Sequence, residues 1–234
     1  MLKYIKNLFV VFNILISLLS MGLSAEQINP TKQEMWDTMS SEVNHWVDGV
    51  GYPIDTEIKD TVIALNLMGI ETEASCEGHL DRGLSYPWID IQIYPPEVKK
   101  MMLELSDIQE QLSKEEILLK TKFPHLSYND FYDIPEGENL KNLNKKHRVI
   151  AESMTQMQIK CLEPLNQLLN QFYENRVTSY DNTLVIQNDS FARLRSIGAD
   201  RQQIRSPEQQ LRNLNEYREE MNAFTIFIKQ KFMN

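Results

Sequence analysis

The residue types best suited to chemistry are gathered in one short segment, SCEGHLDRG, in the first half of the chain. Cys76 and His79 have the Cys-x-x-His spacing found in half of a zinc site, so they are candidate ligands for zinc or another divalent metal. Glu77, Asp81 and Asp90 are candidates for an oxygen ligand, and Glu77 or Asp81 for the general base acting on a metal-bound water. The segment therefore predicts a polar, metal-binding pocket with hydrolytic activity, although no second cysteine or histidine pair completes it.

Two other interpretations of the segment stay open. In the first, Cys76 is the nucleophile of a thiol enzyme and His79 its base, with Asp81 or Asp90 orienting the imidazole ring. In the second, the segment is only a tight turn, and Cys76 either packs as a small apolar residue or forms a disulfide with Cys161. The sequence does not decide between these alternatives, because the distance between the two cysteines depends on the fold.

Charged and aromatic residues elsewhere in the sequence could surround a small ligand at this segment. Besides Glu77, His79 and Asp81, the predicted pocket contains Arg82, Tyr86, Trp88, Asp90, Arg193 and Arg195. The last two come from a second predicted hairpin and would supply cationic partners. We therefore expect a small ligand of unknown identity as the partner of this protein.

A helix and two strands must position the segment. The helix is predicted from Asp55 to Gly69, since apolar residues recur at helical spacing and a glycine often follows the last turn. Strands are predicted at residues 70–75 and 86–94, the second because apolar and polar residues alternate along it. The segment is thus the connection between two strands, where a rigid scaffold commonly presents functional groups.

The other predicted elements are mostly helices. They are a helix over residues 29–50, a helix after the prolines at 95 and 96, a helix over residues 140–172, a hairpin over residues 184–197, and a last helix that opens with a capping box at Ser206. Pro164 should kink or break the third of these helices. The long helices do not keep a strict heptad, so we expect them to pack against the domain's own sheet. The sequence predicts one α+β domain over residues 26–234, with a small antiparallel sheet packed against several long helices.

The amino-terminal residues and the net charge limit the compartment and the partners. Lys3 and Lys6 precede an apolar run that ends in small residues, so residues 1–24 are a predicted secretory signal peptide, cleaved near Ser24 or Ala25. An uncleaved amino-terminal anchor is the alternative. The net charge of −9 disfavours nucleic acid and anionic membrane surfaces as partners. The chain is therefore expected to be exported, periplasmic or secreted, and free of the membrane after cleavage.

The helix and the segment resemble a recurring bacterial and phage pattern. The matching residues are Asp55, Ile58, Leu65, Asn66, Gly69, Ile70, Thr72 and Ser75 to His79, followed by Pro87-Trp88-Ile89-Asp90. The proteins that carry this pattern have no known activity, so the resemblance implies a family but no reaction. The turn also resembles, more distantly, the Ser-Cys-Ser-Gly-Arg turn of the wybutosine-synthesis methyltransferase family, with Glu77 and His79 replacing the second serine and the arginine. That resemblance implies the helix–strand–turn geometry only, because an acidic, exported chain does not suit a transfer-RNA substrate.

Two functions from different classes follow from these observations. The preferred one is an exported protein whose Ser-Cys-Glu-Gly-His turn forms a metal-binding, hydrolytic pocket. The alternative is a non-catalytic binding or interaction protein, in which the turn is structural or Cys76 is bonded to Cys161.

Overall fold

Four short antiparallel strands form the sheet of the computed structural model, which describes residues 29–47, 51–188 and 192–234. The strands are β1 (Thr72–Cys76), β2 (Trp88–Ile91), β3 (Leu184–Asn188) and β4 (Ala192–Ser196), in the spatial order β1-β2-β4-β3. Each neighbouring pair is antiparallel. The predicted small antiparallel sheet is therefore confirmed. The predicted signal peptide lies outside the described residues.

Long helices make up most of the rest of the described chain, which confirms the α+β class. They are α1 (Lys32–Val43), α2 (Thr56–Leu67), α3 (Pro96–Lys122), α4 (Glu138–Tyr173) and α5 (Pro207–Met233). The predicted capping box opens α5: the Ser206 hydroxyl accepts from the Gln209 amide, and the Gln209 side chain accepts from the Ser206 amide. Within the part of the chain that the structure describes, no helix combines the length and apolar character needed to span a bilayer.

Two helix boundaries differ from the sequence-based expectation. The first helix ends at Val43 rather than near residue 50, because the chain turns there and Val47 forms an isolated bridge with Pro53. The second difference is at Pro164, which lies inside α4 without ending the helix. Leucines on both sides of it, Leu162 and Leu165, are buried in the main core. Their burial offsets the loss of one helical hydrogen bond, which costs about 3 kcal/mol.

The main hydrophobic core lies between one face of the sheet and the helices. It is formed by apolar residues of α1, α2, β2, β4, α5 and the carboxyl-terminal half of α4. Its best-buried members include Ile58, Leu65, Ile89, Leu194, Leu165, Phe224 and Ile228. Through this core, α2 and α5 are fixed against the strands that flank the chemical segment.

A helical arm, which we define as residues 96–160, has a separate small core. Ile108, Leu112 and Leu119 of α3 pack with Leu140 of α4 and with Phe131 of the connection between the helices. The expectation that the long helices pack against the sheet is thus wrong for the arm. The apolar residues of α3 and of the first half of α4 are instead buried against each other and against the connection between the two helices.

Candidate metal centre

The chemical segment is a constrained turn between β1 and β2, as predicted. β1 ends at Cys76, and the connection to β2 is closed by a hydrogen bond of 2.9 Å from the His79 amide to the Leu84 carbonyl. Arg218 of α5 reaches the turn from a distant part of the chain. Its Nε donates to the Glu77 carbonyl at 2.9 Å, and its Nη2 donates to the Gly78 carbonyl at 2.6 Å. A long-range contact therefore fixes the backbone between Cys76 and His79.

Gly78 is in close contact with Tyr86, before β2, and with Leu214 of α5. It has φ of +83°, in the left-handed region that favours glycine. A Cβ at this position would lie 2.6 Å from the Tyr86 carbonyl carbon and 2.8 Å from Leu214 Cδ1. Neither the backbone conformation nor the space accepts a side chain, so the third residue after Ser75 must be glycine for the turn to form as it does.

Three potential ligands meet at the turn: Asp55, Cys76 and His79. Each offers one ligand atom, and the three atoms lie within 4.8 Å of one another. His79 Nε2 and Asp55 Oδ2 are 3.2 Å apart. Two ligands of a tetrahedral zinc ion are about 3.4 Å apart when each lies about 2.1 Å from the metal. The three side chains therefore need only small movements to reach the separations of ligands around one transition-metal ion.

Asp55 is the member of this group that the sequence does not predict, because its position indicates only the start of a helix and a match to the recurring bacterial and phage pattern. It is the N-cap residue of α2, but its side chain makes no capping hydrogen bond to that helix. The Glu77 carboxylate supplies the cap instead, accepting from the Glu57 amide at 3.0 Å. In return, Asp55 Oδ2 accepts from the Glu77 amide at 3.1 Å. Because Glu77 caps α2, the Asp55 carboxylate is not used as the helix cap and lies beside Cys76 and His79 instead.

The surroundings shift the pKa values of Asp55 and Cys76 in opposite directions. Burial by itself would raise the pKa of Asp55, but hydrogen bonds from the Glu77 amide and from His79 outweigh burial and lower its pKa. Burial raises the pKa of the Cys76 thiol; a hydrogen bond from the Gly78 amide opposes this rise, and the charge of Asp55 adds to it. A nucleophilic cysteine needs a lowered pKa, so the thiol-enzyme interpretation is disfavoured. A bound cation would deprotonate the thiol and use it as a ligand.

His79 Nε2 has two neighbours that require opposite protonation states. Asp55 Oδ2 lies at 3.2 Å and Arg82 Nη2 at 3.3 Å. A protonated Nε2 can donate to the carboxylate but then directs its proton toward a guanidinium donor. An unprotonated Nε2 can accept from Arg82 but then faces the carboxylate with a lone pair. A cation between Nε2 and Oδ2 would be held by lone pairs of both atoms.

The two predicted general bases do not belong to this group of three ligands. The Glu77 carboxylate accepts from the Glu57 amide and lies 3.5 Å from Arg218 Nη2. It also borders a cleft of about 20 Å³, large enough for one water molecule. Asp81 is exposed on the loop after His79. Neither carboxylate is therefore placed as a ligand.

The predicted pocket residues of β2 and β4 contact one another on the sheet. Asp90 and Arg193 are opposite each other in the strand register and form two hydrogen bonds of 2.7 and 2.8 Å. The Arg193 guanidinium also stacks 3.9 Å from the centroid of the Trp88 ring. Arg195 is buried and bonded to Gln187 and Asp200. These side chains have structural partners, and only Arg82 of the predicted cations contacts the metal ligands.

The two cysteines lie on different elements and are both free thiols. Cys76 ends β1, whereas Cys161 lies on α4 and packs against the main core. Cys76 and Cys161 therefore do not form a disulfide in this structure, because the strand and the helix place the two thiols in different surroundings.

We expect Gly78→Ala to lower the free energy of unfolding by about 3 kcal/mol, because it combines left-handed strain with overlap onto Tyr86 and Leu214. Gly83→Ala is a matched control: its φ of +63° is also left-handed, but a Cβ there meets nothing within 4 Å. It should cost about 1 kcal/mol. Urea denaturation measures both values, and equal losses would show that the close approach at Gly78 is unimportant.

We expect Asp90→Ala to lower the free energy of unfolding by about 3 kcal/mol, since it leaves the partly buried Arg193 guanidinium without its carboxylate. Glu110→Ala, which removes an exposed pair with Lys114, should have no measurable effect. The comparison is made by thermal and urea unfolding. A stable Asp90→Ala protein would mean that these residues are available for a ligand, as the sequence suggested.

Comparisons of this chain with protein-family models, with curated proteins and with solved structures found no match. The resemblance of the turn to bacterial and phage proteins and to the wybutosine-synthesis methyltransferase family therefore stays a prediction.

Proposed function

We propose that this protein binds zinc or another divalent transition metal through Asp55, Cys76 and His79. The observation that carries the proposal is the convergence of an oxygen, a sulfur and a nitrogen ligand atom within 4.8 Å. Thiolate, imidazole and carboxylate are the three ligand types that zinc takes in proteins. The turn is held by Gly78 and Arg218 before any ion arrives, so little ordering has to accompany binding.

The metal site would be hydrolytic rather than purely structural. Structural zinc sites are normally closed by four protein ligands, whereas catalytic sites use three and keep one position for water. The described residues supply three. A metal ion held there would supply Lewis-acid activation of a water near neutral pH. Of the two predicted bases, Glu77 would have to leave the Glu57 amide and Arg218 to act on that water, and Asp81 is exposed on the loop after His79.

A non-catalytic binding protein is the second candidate, and one observation favours it. The helical arm exposes large apolar side chains on the outer surface of α3, among them Leu103 and Ile117, which are 70% and 67% exposed. Exposed apolar side chains at a surface that is not needed for the site are compatible with a protein partner. In that case the turn would be a structural corner, and the protein would take up no metal.

We expect the full chain, purified without chelators, to hold about one equivalent of zinc or to bind Co²⁺ with a thiolate-to-metal charge-transfer band. Asp55→Asn, Cys76→Ser and His79→Ala should each weaken binding by about a hundredfold or more, because each removes one of three ligands. Cys161→Ser and His125→Ala are matched controls, since both residues lie outside the group. Absence of metal from the wild-type protein, or equal losses in the controls, would favour the non-catalytic alternative.

Export belongs to the same proposal, because the predicted signal peptide precedes the domain. We expect the full chain expressed in a bacterial host to be cleaved near Ser24 or Ala25 and to be recovered outside the cytoplasm. Mass spectrometry of the purified protein identifies the new amino terminus. A full-length product in the membrane fraction would instead support the anchor alternative, and a full-length product in the cytoplasm would contradict both.

A further inference from the structure

Arg82 is a cation at the metal centre that does not hold the turn. Its side chain is 67% exposed, whereas Arg218 donates to the carbonyls of Glu77 and Gly78. Arg82 Nη2 lies 3.3 Å from His79 Nε2 and 4.0 Å from Asp55 Oδ1. It therefore lies beside two of the three ligands, on the solvent side of the centre.

A metal ion would change the contacts of Arg82 more than those of any other residue at the centre. Coordination uses the lone pair of His79 Nε2, which is the acceptor that Arg82 approaches at 3.3 Å. The guanidinium then loses this acceptor and keeps only the longer approach to Asp55. Arginine cannot lose its charge at any accessible pH, so its freed donors would be available to water or to an anionic group bound beside the metal.

The charge at the centre indicates which of these two would accept from Arg82. A divalent ion is neutralised by the Asp55 carboxylate and the Cys76 thiolate, while neutral His79 adds no charge. Glu77 and Arg218 neutralise each other at 3.5 Å. Among the side chains in contact with the three candidate ligands, the positive charge of Arg82 is then left unbalanced, in a chain whose net charge is −9. A local positive potential of this kind attracts an anion to the open side of the metal.

We infer that Arg82 binds an anionic group of the substrate, a carboxylate or a phosphate, next to the open coordination position. The guanidinium fork matches two oxygens of either group, and a third oxygen or the scissile bond would then face the metal. The substrate class is therefore a small molecule that carries an oxyanion group. This inference rests on the proposed metal site and adds the ligand class to it.

The test uses the full chain loaded with Co²⁺ and freed of excess metal. Inorganic phosphate and, separately, acetate are titrated while the visible Co²⁺ spectrum reports the change in coordination. We expect both anions to perturb the wild-type spectrum saturably, and the tighter one identifies the preferred oxyanion. Arg82→Ala should weaken its binding by about tenfold or more, because a charge-assisted contact is lost, and Arg82→Lys should restore part of it. Arg148→Ala removes the same charge from the helical arm and should leave anion binding unchanged.

Metal affinity, measured on the same variants, separates this inference from the proposed function. Arg82→Ala should bind Co²⁺ as tightly as the wild type or more tightly, since a cation near Asp55 is removed; a weakened metal site would show that Arg82 is merely structural and would overturn the inference. Unchanged anion binding in a metal-loaded Arg82→Ala protein would also overturn it, while the metal site stands. A wild-type protein that takes up no Co²⁺ would overturn the proposed function, and the inference with it.

Discussion

The close approach of Gly78 to Tyr86 and Leu214 is the constraint on which the site depends. Because Gly78 has no Cβ, the turn can pack directly against the backbone of Tyr86, before β2, and against Leu214 of α5. In any other residue, the Cβ would overlap with these atoms. The same approach brings the carbonyls of Glu77 and Gly78 to Arg218. Cys76 and His79 stand on either side of this anchored point, so the separation of their side chains is set by the packing of α5 on the sheet. The positions of Cys76 and His79 are thus set by contacts with residues more than 130 positions away along the chain.

The second requirement is the exchange of roles between two carboxylates. A helix start leaves amide groups unsatisfied, and an aspartate at the N-cap normally accepts from them. Here Glu77, fixed by the turn, accepts from the Glu57 amide, so that Asp55 is available to the site while the helix keeps its cap. The arrangement also explains why the negative charge of Asp55 is tolerated beside a half-buried thiol: its carboxylate receives the Glu77 amide and lies near His79. The start of α2 and the group of Asp55, Cys76 and His79 are therefore one structure, in which neither the Asp55 nor the Glu77 carboxylate can be removed without affecting the other.

Sequence patterns predicted the local features well and the long-range ones poorly. Periodicity and capping residues located the helices, the strands and the capping box at Ser206, because these depend on neighbours a few positions apart. The Cys-x-x-His spacing predicted for the same reason that Cys76 and His79 lie close together. Asp55 was missed because its partner lies 22 positions away and its position as N-cap offered a sufficient local explanation. Asp90 and Arg193 were assigned to a pocket because the cross-strand register that pairs them was unknown. The arm was assigned to the sheet because sequence gives the length of a helix but not the size of the surface available to it.

The stability of the domain and the chemistry of the turn reside in different sets of residues. The main core is apolar and is formed by α1, α2, α4, α5 and the strands, while the polar side of β2 and β4 is closed by the pair between Asp90 and Arg193. Asp55, Cys76 and His79 are only partly buried and belong to neither set. A site that contributed to folding through its side chains would be expected to bury them, as most residues of β2 and β4 are buried. Asp55, Cys76 and His79 stay in contact with solvent and are therefore less tightly packed than the core. Gly78 and Arg218, which are not among these three residues, hold the turn in place. This division is what a binding or catalytic site requires, because the groups that must meet a substrate cannot also be the groups that close the core.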